Sequence, residues 1–116
     1  MEDADSIVAA LAVDYWKLLK SFERLISEMP EERSVRLNAQ ARFSAGRLQT
    51  HLEAYGLQLA TFDGQIIDPS MPIVAVNAGD LQDQLQVIVE STIEPAVVAG
   101  TKVISVGRVM AAVEAT

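Results

Sequence analysis

Residues 55–71 read YGLQLATFDGQIIDPSM, and the spacing of the apolar residues changes inside them. Upstream they recur every three or four positions, the period of a helix; downstream they recur every two, the period of a strand. Gly56 stands at the change, where a helix ends on a residue free to turn left-handed. LQLATF (57–62) then reads as a strand. Gly64 and Pro69 break the following stretch too often for a helix, although Ile66 and Ile67 between them are bulky and apolar. We read a corner that Gly64, Asp68 and Pro69 build and that Ile66 and Ile67 fill.

Upstream of Gly56 the pattern predicts two helices. In the first, Ile7, Leu11, Tyr15, Leu18, Phe22, Leu25 and Met29 are spaced 4, 4, 3, 4, 3, 4, with Asp5 or Ser6 placed to cap the start. A second apolar row, Val8, Trp16, Leu19 and Ile26, runs beside it. Met29-Pro30-Glu31-Glu32 then signals a stop and a restart, because proline suits a first helical turn and glutamates there oppose the positive end of the helix dipole. The second helix is expected over Pro30–Tyr55, on a row of Leu37, Ala41, Ala45, Leu48, Leu52 and Tyr55. The short link implies an antiparallel hairpin, roughly 35 Å long at 1.5 Å rise per residue. Two helices cannot enclose the surplus apolar row of the first. Pairing with a second copy into a four-helix bundle would, which makes Leu11, Trp16, Leu18, Leu19, Phe22, Ile26, Leu48 and Leu52 the expected bundle and dimer residues.

Downstream, IVAVNA (73–78), LQVIVEST (85–92), PAVVAG (95–100) and TKVISVGRVMAAV (101–113) are rich in β-branched residues and bounded by Gly, Pro, Asn and Asp. With 57–62 they predict five or six short strands. The expected fold is α+β with segregated halves: a helical dimerisation region over 1–56 and a small β domain over 57–116.

Composition narrows the function. The chain of 116 residues carries a net charge of −7, which argues against a general nucleic-acid binder and against an anionic membrane surface. Residues 1–56 hold nine acids and seven bases, but residues 57–116 hold seven acids and two bases, Lys102 and Arg108. Absence of cysteine removes disulfides, thiolate metal sites and cysteine nucleophiles together. The opening MEDADS is acidic where a secretory leader needs a basic segment, and no apolar run approaches the ~18 residues of a membrane helix, so a cytoplasmic protein is expected. His51, the one histidine, lies on the polar side of the second helix with Gln49 and Glu53 as neighbours, and has no second ligand with which to hold a metal. No nucleophile elbow, GxGxxG or phosphate loop is present; Asp80 and Asp83 read as a solvated loop. Neither an enzyme nor a cofactor is expected. Arg33, Arg36, Arg42 and Arg47 read as a solvated face with ion pairs to the first helix.

The layout and its motifs resemble the GrpE family, the nucleotide-exchange factors of DnaK-type heat-shock chaperones. Gly56, Gly64, Gln65, Asp68 and Pro69 match the family's helix-ending glycine and its Gly-(Gln/Glu)-x-Phe-Asp-Pro corner, with Ile67 in the aromatic position. LLKSFERLI (18–26) is similar to the leucine-rich stretch of the family's first bundle helix, and AVVAGTKVI (96–104) to its closing hairpin. The resemblance implies a homodimer whose β domain wedges open the nucleotide-binding domain of a chaperone and releases ADP. It implies a short member, without the family's long N-terminal helix. The basic residue expected directly after the hairpin glycine is Thr101, with Lys102 one place later, and the family's following arginine is lost within Val103-Ile104-Ser105-Val106. On this reading Lys102 supplies the displaced basic contact beside Thr101, with Ile66, Ile67, Val98 and Met110 as an apolar rim. A dimeric adaptor on the same fold, without exchange activity, is the alternative.

Overall fold

Two helices, α1 (Ala4–Ser27) and α2 (Glu31–Tyr55), precede six short strands in the computed structural model, which describes residues 3–81 and 86–113. The fold is α+β. The chain divides into two units, Met1–Gln58 and Leu59–Thr116. Among the described residues no helix is long and apolar enough to cross a membrane. Asp83 and Leu85, expected in a loop and at the start of a strand, lie outside the described residues.

Neither Asp5 nor Ser6 caps α1. Asp3 does: its backbone is extended (φ −80°, ψ 169°) and its side chain accepts the Ser6 amide at 2.8 Å. Asp5 falls in the first turn, where its charge opposes the helix dipole. Pro30 is the cap residue of α2, followed by Glu31 and Glu32 in the first turn. The far end of α2 is closed by Gly56 at φ 91°. Its amide donates to the Glu53 carbonyl at 3.1 Å, and the Leu57 amide donates to the Leu52 carbonyl at 2.8 Å. That pair of bonds is a Schellman motif, with the buried Leu52 and Leu57 supplying its apolar contact.

The helices run antiparallel. Near one end the Tyr55 hydroxyl is hydrogen-bonded to the Asp5 carboxylate, and midway the Tyr15 hydroxyl donates to the Ser44 carbonyl at 3.0 Å. Their interface is built on small residues and a few leucines: Ala9, Ala12 and Ile26 of α1 against Ala41, Leu48 and Leu52 of α2 are buried. Trp16, Leu19 and Phe22 are half-buried, and Lys20 lies over the Trp16 ring. The row expected as the main seam is left outside: Ile7, Leu11, Tyr15, Leu18, Leu25 and Met29 are all exposed, and on α2 so are Ala45 and Tyr55. The alanines explain the choice, because a face of Ala9 and Ala12 admits α2 closer than a face of leucines does.

The second unit holds two three-stranded sheets. Their orders are β1 (Gln58–Ala60), β4 (Ala96–Ala99), β5 (Lys102–Ser105) and β2 (Ile73–Ala75), β6 (Gly107–Val113), β3 (Val87–Glu94). The run 101–113, one of the five from which five or six strands were expected, is broken at Val106, so β5 and β6 belong to different sheets. β6 is the centre of the second sheet, parallel to β2 and antiparallel to β3. Val89, Pro95, Ala96, Val97, Val109 and Ala111 are buried there. Gly107 allows the two sheets to meet, for a Cβ at that position would lie 2.8 Å from both the Ala96 nitrogen and the Glu94 oxygen. Asn77, read as part of a strand, instead follows β2 and bonds with its side chain: Nδ2 donates to the Ala111 carbonyl at 2.8 Å, and Oδ1 accepts the Ala111 amide at 3.0 Å.

Candidate partner-binding surfaces

Ile66 and Ile67 sit in a short segment that lengthens the second sheet. The Gly64 amide donates to the Val89 carbonyl at 2.8 Å, the Val89 amide to the Gln65 carbonyl at 2.9 Å, and the Ile67 amide to the Val87 carbonyl at 2.9 Å. Residues 64–67 therefore cover the edge of β3 that β6 leaves open, with Ile66 opposite Ile88. Gly64 starts the segment at φ 83°, a left-handed conformation suited to glycine, and the Thr92 hydroxyl bonds the Asp63 carboxylate beside it. Asp68 ends it: its carboxylate accepts the Ser70 amide at 2.8 Å and the Ser70 hydroxyl, and its carbonyl accepts the Met71 amide at 3.2 Å. The Ser70 hydroxyl first, and then the Ser70 amide, hold the Asp68 carboxyl below the usual carboxylate range. Ile67 is half-buried, whereas Ile66 is 45% exposed. The corner thus presents one isoleucine to solvent and keeps one for packing.

The other expected residues fall on two structures. Val98, Thr101 and Lys102 belong to the β4–β5 hairpin of the first sheet, closed by a two-residue loop whose leading Gly100 has φ 62°, as a II′ turn requires. Thr101 is exposed in the loop, and Lys102 is exposed at the first position of β5. Cross-strand partners share a face: Val98 pairs with Val103, and Ala99 with Lys102. Val98 and Lys102 therefore leave the hairpin on opposite faces. Met110 is half-buried in β6, opposite Ser91 of the second sheet. Ile66, Ile67 and Met110 thus share one sheet, and Val98 and Lys102 share the other; the structure does not gather the expected rim around Lys102. Arg108, the second cation, lies opposite Glu94 with 4.0 Å between charged atoms.

The helical unit carries features of its own. His51 is exposed and its Nε2 lies 3.3 Å from Arg47 Nη2, while Gln49 donates to Glu53. The expected inter-helix ion pairs of Arg33, Arg36, Arg42 and Arg47 are not formed among the described residues. All four arginines are exposed, and the residues buried between the helices are alanine, leucine and Ile26. A groove of about 400 Å³ runs between the helices, lined by Tyr15, Leu18, Leu19, Phe22, Gln40 and Ser44. A smaller dimple of about 340 Å³ lies on α2, between Arg42, Phe43, Gly46, Arg47, Thr50 and His51. Phe43, which the sequence reading passed over, is 68% exposed; its place outside the Leu37–Leu52 row is the signal that would have found it. Among the described residues no group of three or more His, Asp or Glu could hold a metal ion. Compared with models of protein families, with curated proteins and with solved structures, the chain matches none.

Proposed function

We propose that this chain is a GrpE-like cochaperone, which pairs through its helical hairpin and uses its β unit to promote ADP release from a DnaK-type ATPase. The observation that carries the reading is a succession along the chain. A Schellman glycine ends the hairpin, a three-residue strand follows, Gly64 and Asp68 frame a corner, and a closing hairpin offers an exposed lysine. Exchange needs no catalytic group on this chain. It needs a surface that binds the open nucleotide cleft of the partner more tightly than the closed one, which shifts the partner's population toward release. Thr101 and Lys102 at the hairpin tip are the residues assigned to that contact, with Ile66 as a separate apolar point.

A second reading, a dimeric adaptor of the same build without exchange activity, draws on one observation: Lys102 has neither Val98 on its face nor Ile66, Ile67 and Met110 in its sheet. One assay separates the two. A fluorescent ADP analogue is loaded on a DnaK-type chaperone, and its release is followed with this protein at micromolar concentration. The first reading expects acceleration that Lys102→Glu abolishes. No acceleration by the folded wild-type protein rejects it and leaves the adaptor.

A further inference from the structure

Gly46 opens a notch in the outer face of α2. A glycine in a helix interior costs stability relative to alanine. A Cβ at Gly46 would meet nothing within 4 Å, so no described neighbour in this chain requires the small residue. At about 100° per residue the notch stands nearly half a turn from the buried Ala41, Leu48 and Leu52, and so faces away from α1. Arg42, Phe43, Arg47, Thr50 and His51 surround it, in a dimple of about 340 Å³. All five are exposed, Phe43 to 68%. Arg42 lies on one flank of Gly46, and Phe43 and Arg47 lie on the other, with the two arginines about 140° apart around the helix. Arg47 reaches along the helix to His51, with 3.3 Å between Nη2 and the ring Nε2, and the Thr50 hydroxyl donates back to the Gly46 carbonyl at 2.9 Å. No acid occurs over residues 33–52. Glu32 stands one turn before Arg36, well short of the notch, and Glu53 beyond it accepts Gln49 Nε2 at 2.9 Å.

We propose that this notch binds an acidic peptide segment of a partner protein. An aromatic side chain of the segment lies over Gly46 beside the Phe43 ring, and a carboxylate on either side of it meets Arg42 and Arg47. Exposed ion pairs bind weakly by themselves, so the aromatic contact supplies affinity and the arginines supply selectivity for acids. A single helix lines the whole dimple, and a small molecule there would stay largely in water, whereas pocket ligands bury most of their surface. A lone phosphate fits no better: the two arginines diverge, and the amides of a helix interior are already bonded to carbonyls. A long polyanion is repelled by the net charge of −7, which a short acidic segment feels less. The inference goes beyond the function proposed above, since it uses neither the β unit nor the exposed row of α1.

The test is an amide NMR titration of the labelled full chain with a capped pentapeptide, a tryptophan between two pairs of glutamates. Saturable shifts are expected at the amides of residues 42–51 and not in the β unit. Arg42→Glu should weaken binding by roughly 10-fold, because it turns one attraction into a repulsion. Gly46→Gln should abolish binding by filling the notch. Glutamine is the better helix former, so circular dichroism should show helicity no lower than that of the wild type, which separates loss of the notch from loss of the fold. The same peptide with glutamines in place of glutamates should bind more weakly by roughly 10-fold. No shift at 42–51 with millimolar peptide, equal binding of the glutamine peptide, or undiminished binding by Gly46→Gln would overturn the proposal. So would shifts at these amides with a short oligouridylate and none with the peptide, which would make the surface a nucleic-acid contact.

Discussion

Replacing Gly107 by alanine tests the packing of the β unit more sharply than any other single substitution. The added Cβ would stand 2.8 Å from the Ala96 nitrogen, 2.8 Å from the Glu94 oxygen and 3.1 Å from the Pro95 carbonyl carbon. Ordinary contact begins at 3.4 Å, so the 94–96 backbone has to withdraw by roughly 0.6 Å. None of these atoms is the end of a flexible side chain, and Pro95, Ala96 and Val97 are buried. Overpacking of this kind costs ~1–3 kcal/mol, and backbone opposition sets it at the upper end. Alanine returns ~0.4–1 kcal/mol by restricting the unfolded chain, leaving a net loss of about 2 kcal/mol. With an m-value of ~1 kcal/mol/M for so small a unit, the urea midpoint should fall by about 2 M. Trp16, the one tryptophan, reports on the helical unit, so the measurement has to follow amide resonances of the β unit, such as Val89 and Val109. Gly79→Ala is the control: its Cβ would meet nothing within 4 Å, and its effect should stay within about 0.5 kcal/mol. A Gly107→Ala midpoint indistinguishable from the control would refute the close approach of the two sheets.

The Asn77 side chain satisfies both the amide and the carbonyl of Ala111, so Asn77→Ala should destabilise the β unit by ~1–3 kcal/mol, read from the same urea titration. A loss below about 0.5 kcal/mol would mean that water replaces the amide without penalty. The Tyr55 hydroxyl has its pKa raised above 10.0, first by its hydrogen bond to Asp5 and then by desolvation and the charges of Asp5 and Asp3. Because the folded value is the higher one, the bond's contribution is present in full below the unfolded value and is lost as pH rises through the folded one. Alkaline absorbance titration of the protein should therefore show one tyrosine ionising late, and Asp5→Ala should bring it back toward the ordinary value. An unmoved titration curve in that variant would count against the bond.

Punctuation made the helical half legible. Pro30 and Gly56 act through backbone geometry, so their effect does not depend on tertiary neighbours, and both helix boundaries follow from them. Which face of α1 meets α2 was not legible, because hydrophobicity ranks leucine above alanine while close helix packing rewards the smaller residue. The apolar rows of α1 were both visible, yet only the alanine-bearing side could let α2 approach. In the β half the strands were visible as β-branched runs, but the break at Val106 was not, since valine continues a strand as readily as it leaves one. Gly107 was the available sign: a glycine inside a strand run marks a close approach of another backbone, here residues 94–96. The bonds of Asn77 and the pairing of 64–67 with β3 join residues more than 20 positions apart, and no local pattern encodes such partners.

The candidate contact shows how one residue of displacement changes a surface. In the family pattern proposed for this chain, the cation directly follows the hairpin glycine, a position that here is the loop residue Thr101. Moving the charge to Lys102 takes it out of the loop and into the first pair of the ladder, where it must share a face with Ala99. Alternation along the strand then sends Val98 and Val103 to the other side. Beyond Val103 the register shifts, leaving Ile104 without a cross-strand partner, and the next pair is Val97 with Ser105. The lysine therefore stands exposed at the head of β5, with alanine opposite it. A partner that recognises it has to bring its own acidic group to a narrow hairpin tip, and shape at Gly100 and Thr101 then matters as much as charge.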